Sequence, residues 1–145
     1  MMYDERFITP MRQELTRLGV EELKTAAEVD AKFGAQQGTA LLVVNSMCGC
    51  AARNARPAVA VALQHAVKPD HSYTVFAGQD ADATRRAREF ITGYAPSSPS
   101  IALFKDGKLV YMMERYQIEG RSAGEIADDL VAAFDANCAG EASVA

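Results

Sequence analysis

The chain contains no tryptophan, two histidines and three cysteines. An odd cysteine count fits poorly with a small secreted scaffold stapled by disulfides. So few thiols and imidazoles also argue against zinc. A structural zinc takes about four ligands, commonly from cysteine pairs about two to four residues apart, and Cys138, His65 and His71 bring no such motif. Long apolar runs are missing as well. The longest, "TALLVV" at 39–44, falls far short of the roughly 20 residues that span a bilayer. The opening stretch "MMYDERFITPMRQEL" turns charged at Asp4 and lacks an apolar h-region, so no secretory leader is expected. Positive charge is not in excess, with a net charge of −4 and a pI near 5.2. Neither nucleic acid nor membrane is therefore expected as a partner. Together these absences predict a cytoplasmic protein with reduced thiols.

What is present is an ordinary globular balance, 49% apolar and 23% charged over 145 residues. It predicts a single domain, 1–145, with a substantial core. Met11, Leu15 and Leu18 recur at helical spacing, so Thr9 to Leu18 reads as an amphipathic helix closed by Gly19. The capping box at Thr25 and Glu28 opens a second helix to about Phe33. "TALLVVNS", 39–46, is a strand buried on both faces. An alanine-rich helix then runs to about Val67, with Pro57 expected to kink or locally open it. "SYTVFAG" from Ser72 is the next strand, and a charged helix anchored by Phe90 and Ile91 starts near Asp80. Residues 100–114 form a hairpin turning at Asp106-Gly107. A second capping box, Ser122 to Glu125, opens a last helix with Ile126, Leu130, Val131 and Phe134 as its stripe. This order predicts an α/β fold: a central mixed four-stranded sheet, helices on both faces and an N-terminal helical extension.

The chemistry concentrates in "VVNSMCGCAARNARP", residues 43–57. Cys48 lies between a buried strand and the next helix, where free N–H groups and the helix dipole favour an anion. A thiolate is an anion, so its pKa should fall below the free value of about 8.5. Arg53 and Arg56 lie further along and add positive potential, while Gly49, with no Cβ, lets a substrate approach both sulfurs. A Cys-x-Cys disulfide closes a small, strained ring, which makes it oxidising and easily reduced. Such a pair suits an isomerase or a monothiol exchanger, in which Cys48 attacks a mixed disulfide and holds the leaving group.

Other readings stay open at this level. Cys48 and Cys50 are small inert strand-end residues in one, and in another Cys48, Cys50 and Cys138 belong to a non-catalytic metal-binding or redox-sensing module. Asn45 and Ser46 either bond near the site or serve as turn and cap residues. Pro99 precedes a strand, and sequence alone favours an ordinary trans bond there. His65 and His71 receive no function, and "RRAR", 85–88, reads as a solvated helix face.

The stretches "NSMCGCAARNARP", "VFAGQD", "SSPSIALFKDGK" and "IEG", in that order, resemble the bacilliredoxins, a family of thioredoxin-like proteins. The resemblance covers about Thr9 to Cys138 and implies an ordered thioredoxin-like core there. It implies thiol–disulfide exchange: removal of bacillithiol, or a similar low-molecular-weight thiol, from S-thiolated proteins, with disulfide isomerase activity beside it. No bound cofactor is implied. Bacillithiol is then a co-substrate, and the partners are S-thiolated or disulfide-containing client proteins and a recycling reductase. By position, Cys48 is the attacking thiol and Cys50 its neighbour. Pro99 is a cis-proline facing them, and Gly49 and Ser98 join it in substrate binding. Arg53, Asn45 and Cys138 are auxiliary candidates, Cys138 in a resolving or thiol-accepting role. The chain departs from ordinary thioredoxin in lacking tryptophan, a Cys-x-x-Cys motif and any Asp or Glu in "TALLVVNS", so general reductase activity is not expected.

Overall fold

The computed structural model describes residues 3–144, with side chains to Ala139; residues 1, 2 and 145 of the expected 1–145 domain lie outside the described residues. Helix α1 (Glu5–Thr16) starts ahead of Thr9 because Asp4 caps it, accepting the Arg6 N–H at 2.9 Å. Its buried face is Ile8, Arg12 and Leu15, and Leu18 lies past its end, 37% exposed. Arg12 lies inside because it is paired with Glu5 at 2.9 Å and with Glu22 and Asp80 at 2.7 Å. A buried charge needs such compensation. Gly19 then takes φ +91° to reverse the chain.

Strand β1 (Glu21–Glu22) precedes helix α2 (Ala26–Phe33), whose Thr25–Glu28 capping box is present. Strand β2 (Thr39–Asn45) is buried at every position. A π-helical turn, Ala51–Ala55, leads into helix α3 (Arg56–Ala62), so the helix is opened just ahead of Pro57 and ends at Ala62, short of the Val67 expected. The Arg56 N–H reaches back to the Ala51 carbonyl. Pro57 sits in the first turn of a fresh α-helix, where a missing N–H breaks no bond. Strand β3 (His71–Phe76), helix α4 (Ala81–Phe90), strands β4 (Ser100–Lys105) and β5 (Lys108–Met113) and helix α5 (Ala123–Val144) complete the order. Asp106 and Gly107 both take positive φ, 51° and 83°, the turn geometry that suits hairpin twist.

The sheet has five strands in the order β1-β3-β2-β4-β5, where four were expected. The missed strand is β1: two glutamates show neither alternation nor apolar character, and parallel pairing with Tyr73 and Thr74 of β3 makes them an edge strand. β2 runs parallel to β3 and antiparallel to β4, so the sheet is mixed. Leu41 and Val43 pack with Val59, Leu130 and Phe134, whereas Leu42 and Val44 pack with Val29, Phe33 and Ala87. Both faces of β2 are covered, which is why its sequence is an unbroken apolar run. Each such side chain contributes about 1.5–3 kcal/mol by leaving water.

Register positions the site. Val44 pairs with Ser100 and Ile101 with Met113. The end of β2, the entrance of β4 and the exit of β5 therefore lie side by side. Residues separated by more than 60 positions, Cys50 and Arg115 among them, meet there.

Candidate thiol site

Cys48 leaves the end of β2 as a half-buried free thiol, and Cys50, also free and half-buried, follows at the start of the π-helical turn. The Ser46 hydroxyl donates to the Cys48 sulfur at 3.3 Å and accepts the Cys48 N–H at 3.4 Å. Burial pushes the Cys48 thiol up, but donors outweigh it. The Ser46 hydroxyl, the Ala51 N–H, the Cys50 thiol and the Cys50 N–H hold Cys48 below the ordinary thiol range. Cys50 moves the other way. Burial raises it first, then its hydrogen bond to Cys48 and the Cys48 charge, with Arg115 opposing. Of the two thiols Cys48 is therefore the more acidic, and the first of the pair to lose its proton as pH rises.

Arg115 is the cation at this pair. Its Nη2 lies 3.6 Å from the Cys50 sulfur, and its Nη1 donates to the Ser98 carbonyl at 3.1 Å. Its Nε is 3.5 Å from Glu119. One side chain thus ties the loop before β4 to the cysteine turn. Sequence reasoning missed Arg115 because it is 65 residues from Cys50. The usable signal was hairpin register, which carries the exit of β5 to the level of Pro99.

The expected cations play other parts. Arg53 is exposed and covers Gly49, where an added Cβ would lie 2.6 Å from its Nη2. The missing Cβ thus also makes room for the Arg53 guanidinium. Arg56 is buried, paired with Glu14 at 2.9 Å, and donates to Asn45 Oδ1 at 3.0 Å and the Ser46 carbonyl at 2.8 Å. Its charge is neutralised there, so it shapes the end of β2. Asn45 acts in the same frame, with its Oδ1 also accepting the Ser46 N–H at 2.9 Å.

The Ser98-Pro99 bond is cis, against the trans bond that sequence alone favours and in line with the family resemblance. Pro99 is buried, and Ser98 lines an open groove of about 500 Å³ together with Cys48, Met47, Tyr3, Arg88 and Arg115. Cys138 is not brought here. It is buried in α5 near the Thr39 hydroxyl, and burial raises its thiol. Thr39 begins β2 while Cys48 follows its end, and a strand of this length spans roughly 20 Å. The proposed resolving role and the three-cysteine metal site both fail on that separation. Among the described residues, no group of three or more Cys, His, Asp and Glu side chains is placed to hold a metal. Among them, too, no helix is long and apolar enough to cross a membrane.

A family profile described as disulphide isomerase matches residues 3–138. A bacilliredoxin of Salinibacter ruber is 58% identical over 143 residues, covering 97% of this chain and 84% of that one. A bacilliredoxin of Koribacter versatilis is 53% identical over 137 residues, 94% of each chain, and one from Staphylococcus aureus is 49% identical with the same coverage. Among solved structures, Fasciola hepatica thioredoxin aligns with a TM-score of 0.54 at 16% identity, over 81% of this chain and 99% of that one. Malassezia sympodialis thioredoxin gives 0.54 at 16% identity, over 82% and 90%. At that identity the likeness is one of fold, and the fold is thioredoxin-like.

Proposed function

Since this chain belongs to the bacilliredoxin family, we propose that it is a cytoplasmic thiol–disulfide oxidoreductase that removes bacillithiol, or a similar low-molecular-weight thiol, from S-thiolated proteins. The observation that carries the reading is the division of acidity within Cys48-Gly49-Cys50. Cys48 is made more acidic than an ordinary thiol and Cys50 less so. In a mixed disulfide R–S–S–client, the Cys48 thiolate attacks the sulfur of R. The Cys48–S bond forms as the S–S bond to the client breaks, and the client thiolate takes a proton from solvent.

Cys50 is a weak competitor while Cys48 is charged, because that charge helps keep its proton in place. Once Cys48 carries the adduct the charge is gone, and the nearby Arg115 guanidinium then favours a Cys50 thiolate. The Cys50 thiolate attacks the Cys48 sulfur, so the Cys48–Cys50 disulfide forms as the bond to R breaks, and R leaves as a thiolate that takes a proton from solvent. A recycling dithiol reductase then exchanges with that disulfide, ends oxidised itself and returns both cysteines as thiols. Applied to protein disulfides, the same exchange amounts to isomerisation, which a strained Cys-x-Cys ring supports better than strong reduction.

The deciding measurement uses one carrier protein thiolated in turn by bacillithiol and by glutathione, with intact mass followed over time. The expected result is faster loss of bacillithiol and a transient adduct on Cys48. Unchanged clearance by Cys48→Ser overturns the reading.

A further inference from the structure

Among the described residues, Arg88 is the charged group on the Cys48 groove that is left without a counter-ion. It lies in the last turn of α4 and also borders a groove along that helix, of about 360 Å³, and a small cavity of about 40 Å³ beside Pro96. It makes no ion pair among those residues, and its single hydrogen bond there runs from Nη2 to the Ser97 carbonyl at 3.3 Å. Its Nε is closed off from solvent and meets no acceptor. The neighbouring arginines differ: Arg85 pairs with Asp82, and Arg86 with Asp30 and Glu89. Arg115, the other cation on the groove, is already engaged with Cys50, Ser98 and Glu119. No Asp or Glu is among the described residues that line the groove. Burial pushes the Arg88 guanidinium below its ordinary range, yet arginine keeps its charge in proteins. A partly desolvated cation on the same groove as a reactive sulfur is therefore uncompensated until an anion arrives.

We propose that Arg88 is the anion subsite of the Cys48 groove and holds a carboxylate of the small thiol that Cys48 takes up. This rests on the exchange reading of Cys48. A mixed disulfide offers two sulfurs, and attack on either balances: one S–S bond forms, one breaks, and the departing thiolate takes a proton from water. Anchoring R by its carboxylate presents the sulfur of R to Cys48 and leaves the client as leaving group. Arg88 is thus a positioning residue that decides which sulfur is attacked.

The test uses the full chain carrying Cys50→Ser, so that adducts persist. A carrier protein with one surface cysteine is thiolated either with 3-mercaptopropionate, which has a carboxylate, or with 2-mercaptoethanol, which has none. Mass spectrometry reads the rate and whether Cys48 gains the small thiol or the carrier. Arg88 should favour the carboxylate adduct by roughly tenfold, the size of one charge-assisted hydrogen bond, and added salt should shrink that ratio. Arg88→Gln should bring the ratio to about one and shift product toward the carrier-linked form, while Arg88→Lys retains some of the preference. Each ratio is taken within one variant, so loss of folded protein cancels. A ratio near one with Arg88 present, or one that survives Arg88→Gln, overturns the proposal and leaves exchange intact. A preference that follows an acidic residue placed beside the carrier's cysteine overturns it too, assigning the carboxylate to the client. No adduct from either substrate overturns the exchange reading and this proposal with it.

Discussion

The Ser46 hydroxyl lies 3.3 Å from the Cys48 sulfur, close enough to donate to a thiolate. This contact is the largest of the effects lowering the Cys48 thiol. Ser46→Ala should raise the pH at which Cys48 alkylates and slow its reaction at neutral pH by about threefold to tenfold, the range for a half-exposed hydrogen bond to a charge. Arg53→Gln should leave that pH where it was. Peptide-resolved iodoacetamide labelling checks both, and the reverse ranking would return the credit to the helix-borne arginines.

The two thiols should titrate apart. Cys48 lies below the ordinary thiol value and Cys50 above it, so labelling across pH should give two midpoints, with Cys48 first. Exchange should rise with pH through the lower midpoint and level off beyond it. The stability signs are opposite. The Cys48 contribution is present above the unfolded value and fades as pH falls through its lowered folded value. The Cys50 contribution is present below the unfolded value and fades as pH rises through its raised folded value. Coincident midpoints would leave the two residues without distinct roles.

Arg115 opposes the forces that keep Cys50 protonated. Arg115→Gln should therefore move Cys50 labelling to still higher pH, and release of an adduct from Cys48 should slow by roughly threefold to tenfold. Arg115→Lys should recover the charge but not both contacts, since a compact ammonium does not span Cys50 and Ser98 as a planar fork does. Stopped-flow turnover of a preformed Cys48 adduct separates this slowing from any change in capture.

Cys138 should be a bystander to exchange. Its thiol is buried and raised at the far end of β2, so it should resist iodoacetamide until the protein unfolds. Cys138→Ala should leave single-turnover capture at Cys48 within about twofold and lower stability by about 1 kcal/mol, the loss of one small buried group. A disulfide between Cys138 and Cys48 in folded protein, found by peptide mapping, is the result that contradicts this.

Much of the fold was legible because its signals are local. The run in β2, the Asp106-Gly107 turn and both capping boxes each state their own structure within a few residues. What stayed hidden depends on distant partners. Arg12 reads as polar until three carboxylates reach it from Glu5, Glu22 and Asp80. β1 is a strand only because β3 passes alongside. The cysteine motif and its place after β2 were readable, but sequence proximity points to Arg53 and Arg56 as its cations, whereas Arg115 comes from the hairpin. Net charge does not report local sign: a chain of −4 carries two arginines and no carboxylate among the described residues that line the Cys48 groove.

The two halves of the thiol pair draw on different depths of folding. The groups that make Cys48 acidic belong to residues 46–51, one short turn. The guanidinium at Cys50 comes from beyond β5, an edge strand that only β4 holds in the sheet. Sub-global opening of such an edge is less costly than unfolding the whole domain. A molecule in that opened state keeps its sharpened Cys48 but not the charge that eases Cys50 toward thiolate. It captures a partner and is slow to let go, so fraying at one margin of the sheet turns a turnover catalyst into a covalent trap.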